Sequence, residues 1–275
     1  MKPANKPTVI KKKQRIKKVN KTSSINSLPK GEFRNWLIGR MKARKLPLEK
    51  KRIIEYAHIY NRTRQLMPQM IDFVETIFKR RKTKGINTQL VFLGRGSRPF
   101  YKIAHRLGPE QGIQTKNIKL IEAGRRLTGK IYSNKRTRTN LLNYMKTQGI
   151  DLNKPITFID TGVIGTVPHD LIELFKIEHP KTKTNGFMFY GRNVRFENIK
   201  HYSPSKSIKW KLPNLSEREV RSLIEELPKS VTTIKTLVTK NKKTKPEYNR
   251  GEPEEVLGSS VVRKAIRDYL TSYMK

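Results

Sequence analysis

Four short apolar runs, each closed by a turn signal, constrain this chain most. Gln89-Leu-Val-Phe-Leu-Gly94 leads into a helical stretch from Pro99 to Leu107, and Ile118-Lys-Leu-Ile-Glu122 precedes a helix around Leu141 to Lys146. Pro155-Ile-Thr-Phe-Ile-Asp160 precedes a helix over Val167 to Glu178, and Gly186-Phe-Met-Phe-Tyr190 is the fourth run. Strand, turn and helix repeated at this spacing predict βαβ units and a parallel sheet. No internal repeat accompanies the alternation.

The flanking segments differ in texture. Residues 31–84 read as a helical extension: Phe33, Trp36, Leu37 and Met41 recur at helical spacing, and Pro47 opens a second segment. Its apolar stripes (Ile53, Ile54, Ala57, Ile59 and Tyr60, then Met70, Phe73, Val74 and Ile77) are those of core-facing helices, and Pro68 is expected to divide it. Beyond the α/β core of 85–192, residues 193–275 form a helical and irregular region expected to pack on that core. Within it, 192–212 look irregular and Ser216-Glu-Arg-Glu219 is a capping box opening a helix through Leu227. Residues 240–258 read as an exposed loop, and Val261 to Tyr273 as a closing helix with Val262, Ile266, Tyr269 and Leu270 on one face.

Charge narrows the function. The chain carries 61 Lys plus Arg against 22 Asp plus Glu, a formal charge of +39 over 275 residues. Ten of those cations and no acid fall in residues 1–30, which leaves +29 on the remainder. Self-repulsion and scant apolar content predict that residues 1–30 are a disordered basic arm. Lys11, Lys12, Lys13, Arg15, Lys17 and Lys18 form its centre and are the candidate nucleic-acid-binding residues. Their contacts would be phosphate-driven and blind to base sequence. A lysine-biased composition spread over solvated faces is the bland alternative, and the uneven distribution speaks against it. The run also has the form of a nuclear-localisation signal, whereas a cleaved mitochondrial leader favours Arg over Lys. With no secretory or membrane-length apolar run, the expectation is an intracellular protein associated with nucleic acid and not with a membrane, nuclear or virion-associated in a eukaryotic or viral setting.

Other chemistries are excluded. There is no cysteine, hence no disulfide framework, thiolate site or cysteine nucleophile. The five histidines (58, 105, 169, 179 and 201) lack the close pairing of a zinc site, and no residue set is assigned to a metal. Phe100, Tyr101, Trp36 and Trp210 are candidate stacking surfaces for bases, or rim aromatics that pack on the fold.

Ligands of an open parallel sheet bind at the carboxyl ends of its strands, which singles out two loops. Gly94-Arg95-Gly96-Ser97-Arg98-Pro99 offers two glycines for close backbone approach, a hydroxyl, two planar guanidiniums and a proline suited to a helix start. It reads as a phosphate loop or as a tight βα turn. Asp160-Thr161-Gly162-Val163-Ile164-Gly165-Thr166 offers an acid at a strand end, then small residues and a hydroxyl opening a helix. Asp160 there would bind ribose hydroxyls or a hydrated magnesium ion, or else cap the following helix. The Asp-Thr-Gly also has the form of an aspartic-protease motif, but the helical period of Val167, Leu171, Leu174 and Phe175 excludes that all-β fold. Neither loop has P-loop spacing.

The series Val91–Tyr101, Ile121–Arg126, Phe158–Thr166 and Gly186–Tyr190 resembles the type I phosphoribosyltransferase-like fold, closest to divergent bacterial members. The resemblance implies a phosphoribosyltransferase-like parallel-sheet core and a ligand such as phosphoribosyl pyrophosphate or a nucleotide, with Mg2+ on the pyrophosphate. It implies that Gly94, Gly96, Ser97, Arg125 and Arg126, with Thr161, Gly162, Gly165 and Thr166, bind phosphate and ribose. Asp160, Arg95 and Arg98 are then the catalytic candidates, acting at the anomeric carbon by positioning and charge. The family's ribose loop usually carries two adjacent acids, whereas Ile159 precedes Asp160; Gly96-Ser97 stands where the divergent relatives carry an Asp. Two function classes follow: a protein that binds, and acts on, a phosphorylated ribose in association with nucleic acid, or a catalytically degenerate scaffold that binds or packages nucleic acid.

Overall fold

A computed structural model describes residues 31–84, 88–94, 96–161, 165–189, 196–202, 234–240, 243–248 and 253–274. The arm, including Lys11 to Lys18, lies outside the described residues, as do Arg95, Gly162, Trp210 and the segment from the Ser216 capping box to Leu227.

Two helices open the fold, α1 (Glu32–Ala43) and α2 (Lys50–Lys84). Then come β1 (Gln89–Leu93), α3 (Arg98–Leu107), β2 (Ile118–Ile121), the single turn α4 (Arg125–Thr128) and α5 (Lys135–Thr147). The chain continues through β3 (Ile156–Asp160), α6 (Thr166–Glu178), β4 (Thr184–Met188) and β5 (Ile199–His201). An antiparallel ribbon, β6 (Ile234–Lys240) and β7 (Lys243–Tyr248), precedes α7 (Pro253–Tyr273). The architecture is α/β. Strands β1 to β5 form one parallel sheet in the order β2-β1-β3-β4-β5.

Strand alternation sorts the core into two layers. Leu90, Phe92, Ile118, Ile159 and Phe187 face α2, α3 and α7; Val91, Leu93, Ile121, Ile156, Phe158 and Met188 face α5 and α6. Every residue of β1 is buried, the expected state of a parallel strand covered on both faces. Helix α2 is one layer of this unit: Met67, Met70, Phe73, Val74, Ile77 and Phe78 pack on the sheet. Phe73 lies 5.2 Å from the Phe100 ring and 5.4 Å from that of Phe187. A third cluster joins α1, α2 and α7 through Phe33, Leu37, Met41, Tyr60, Val261 and Ala265. The Tyr60 hydroxyl crosses it to donate to Asp268 at 2.7 Å.

Several sequence expectations are corrected. Pro68 does not divide the second helix but lies inside α2, because Leu66, Met67, Met70 and Ile71 around it are all buried and hold the helix in line. The irregular stretch after 192 contains the fifth strand, too short for any periodicity to announce it. The loop expected over 240–258 holds β7 and the start of α7, which begins at Pro253 and not Val261. The fourth strand runs from Thr184 to Met188, two residues short of Tyr190. Among the described residues no helix is long and apolar enough to cross a membrane.

Candidate site at the β1–β3 rim

The strand order reverses at β1: its first crossover leads to β2 on one side, and β3 joins on the other. Loops leaving the carboxyl ends of β1 and β3 therefore lead to helices on opposite faces of the sheet, the position at which open α/β sheets bind their ligands. Both loops singled out from the sequence start there.

Backbone geometry explains the glycines. Gly94 has φ +64°, its N–H donates to the Ile121 carbonyl at 2.7 Å, and a Cβ would sit 2.9 Å from the Ala123 carbonyl oxygen. Both the dihedral and the space exclude other residues. A Cβ on Gly96 would collide with the Thr161 hydroxyl, so the loops after β1 and β3 touch at these two residues. Ser97, fully buried, ties them again: its hydroxyl donates to the Ile159 carbonyl at 3.2 Å. Gly165, at φ +81°, turns the second loop into α6, where a Cβ would press on Met188 Sδ at 2.9 Å.

Two helix N-termini open on this rim. Neither α3, which starts at Arg98 with Pro99 in its first turn, nor α6, which starts at Thr166, has a side-chain cap or an acid in its first turn. The positive end of each helix dipole is thus uncompensated by its own residues, a setting that favours an anion. The Asp160 carboxylate accepts from the Thr161 N–H at 2.7 Å, and its carbonyl accepts from the Phe189 N–H at 2.9 Å.

The charges at the rim are partly matched. Arg98 Nε donates to Glu122 Oε1 at 2.6 Å, and Nη2 makes a closer ion pair with the same oxygen. Glu122 is buried, and its N–H donates to the Tyr144 hydroxyl at 3.1 Å. Arg125 is exposed on α4 beyond β2. One carboxylate, Asp160, suits a magnesium ion that arrives with phosphate oxygens and its own waters. Among the described residues no group of three or more His, Asp or Glu is placed to hold a metal by itself.

Two buried acids near the rim were not singled out by sequence reasoning. Glu122 stands out only as the lone acid before Arg125 and Arg126. Asp170, buried on α6, accepts from the Thr128 hydroxyl at 2.7 Å and the Tyr132 hydroxyl at 3.1 Å, anchoring the α4 segment to α6. Burial and that carboxylate push the Tyr132 hydroxyl up to about 12. Of the candidate stacking aromatics, Phe100 is fully buried in the core and cannot reach a base. His169 stacks on Phe196 with centroids 3.8 Å apart, and His105 lies on the outer side of α3 beside Tyr101.

In comparisons with known proteins, no family model matches the chain and no curated protein aligns with it significantly.

Proposed function

We propose that the protein binds a phosphorylated ribose or nucleotide at the β1–β3 rim of a phosphoribosyltransferase-like domain, in association with nucleic acid. The observation that carries this reading is the contact between the two glycine loops: Gly96 against Thr161, at the point of strand reversal, with two uncapped helix N-termini beside it. Phosphate oxygens would take the N–H groups at the starts of α3 and α6, with Gly94, Gly96 and Gly165 permitting the approach and Arg95 and Arg125 adding charge. Asp160 would take ribose hydroxyls or the magnesium ion that bridges to pyrophosphate.

Binding is better supported than group transfer. Ser97 and Arg98 already have protein partners, which makes them positioning residues for the rim. The second acid of the ribose loop is replaced by Ile159, which is buried. Isothermal titration of the full chain with phosphoribosyl pyrophosphate and Mg2+ should show saturable binding, abolished by Asp160→Asn. No heat at millimolar ligand would overturn the reading.

A further inference from the structure

Three helices bring rows of cations to one place. Helix α1 presents Arg40 and, at its C-terminal end, Arg44; α3 presents Lys102 and Arg106; α7 presents Arg263 and Arg267. Each pair is spaced by four residues, which stacks its members on one helical face. The rows converge on an open groove of about 560 Å³, a size that takes a ligand of nucleotide dimensions rather than a duplex. Trp36, Lys264, Ile266 and Leu270 complete the walls, and among the described residues no acid lines it.

Among the described residues, little offsets this charge. Lys264 is matched, by Asp268 at 2.9 Å and Glu32 at 3.5 Å. Among the described residues, Arg267 has a long contact to Asp268, 3.9 Å, and Arg263 donates to the Ser260 hydroxyl, a neutral partner. Partial burial, then the charges of Arg263 and Arg98, hold Lys102 below the usual lysine range. Arg263 is lowered in the same way by burial and by Arg98, Arg44 and Arg40. Cations that outnumber the acids beside them raise one another's energy, and a polyanion relieves them together. Arg98, the first residue of α3, lies near enough to add to the charge felt by both groups.

We propose that the groove between α1, α3 and α7 binds the sugar–phosphate backbone of a single nucleic-acid strand. The proposal rests on the nucleic-acid association in the reading given above and not on the ligand proposed for the β1–β3 rim.

The test is the affinity of the full chain for a fluorescent oligothymidylate, measured by anisotropy over a range of salt. Lys102 and Arg106 are exposed, so Lys102→Ala with Arg106→Ala should fold normally, as unchanged thermal melting will show. The double variant should bind about tenfold more weakly and flatten the salt dependence by about 1.4 in log–log slope, at ~0.7 for each single-strand phosphate contact. The control is Lys130→Ala with Lys146→Ala, which removes the same charge outside the groove and should leave affinity and slope nearly as in the parent. Equal losses in the two double variants, or none in the first, would overturn the proposal. So would inorganic tripolyphosphate or a duplex of the same length binding the groove as tightly as the single strand. Because phosphoribosyl pyrophosphate takes no part in this measurement, failure at the rim and failure in the groove are read separately.

Discussion

A methyl group at position 96 would meet the Thr161 hydroxyl, so the loops after β1 and β3 approach closely there. Gly96→Ala should therefore destabilise the protein by about 1–2 kcal/mol, the range for overpacking a tight site. In a Thr161→Ala background the same substitution should be nearly neutral, since the oxygen is gone and the Thr161 Cβ lies 3.5 Å from the added carbon. A double-mutant cycle by urea denaturation checks this; additive costs would show that the loops are not held together at this point. Arg98 and Glu122 offer a second residue-level test. Glu122 is buried, so Arg98→Met takes away its Arg98 partner and should cost about 3 kcal/mol, whereas adding Glu122→Leu should recover most of it. Thermal melting of the three proteins would reveal the recovery.

At the level of elements, α7 is fastened to α2 by a bond that alkali should release. Burial and the Asp268 carboxylate push the Tyr60 hydroxyl from 10.0 up to about 12. The fold thus holds the neutral phenol, and the stability this contributes is complete below pH 10 and fades as pH rises toward about 12. Tyr60→Phe should be about 1 kcal/mol less stable than the parent below pH 10, and the gap should close above it. Denaturation curves at both ends of that window test the sign. How well each element could be read from sequence follows from what holds it. The continuous apolar run of β1, the glycine after it and the Asp closing β3 were legible because local chemistry determines them. Helix α2 was misread at Pro68, since the missing N–H matters less than the buried side chains on either side. Strand β5 is three residues long and exists through its pairing with β4, a long-range fact without a local signature. The groove was legible only in part: the four-residue spacing of its cations is visible in each helix, but their convergence needs the fold.

For the whole molecule the decisive property is the placement of charge. Residues 1–30, expected from the sequence to be a basic arm, carry ten cations and no acid, and the groove adds seven more. Arm and groove have the same sign, so neither can neutralise the other, and a polyanion that touches both relieves both. This predicts how salt dependence should divide. Nucleic-acid affinity of the full chain should fall steeply with salt, and deleting residues 1–30 should flatten the slope by the number of phosphates the arm contacts. If one strand runs through the groove while the arm holds its flanking phosphates, the slope losses from arm deletion and from Lys102→Ala with Arg106→Ala should add. With an oligonucleotide too short to span both, each protein molecule would engage it through one region at a time, and the two losses should cease to add. Anisotropy titrations with a length series of oligothymidylates would locate that crossover. A slope that loses nothing on removal of the arm would show that residues 1–30 do not touch the strand, and that the folded unit with its groove carries the binding alone.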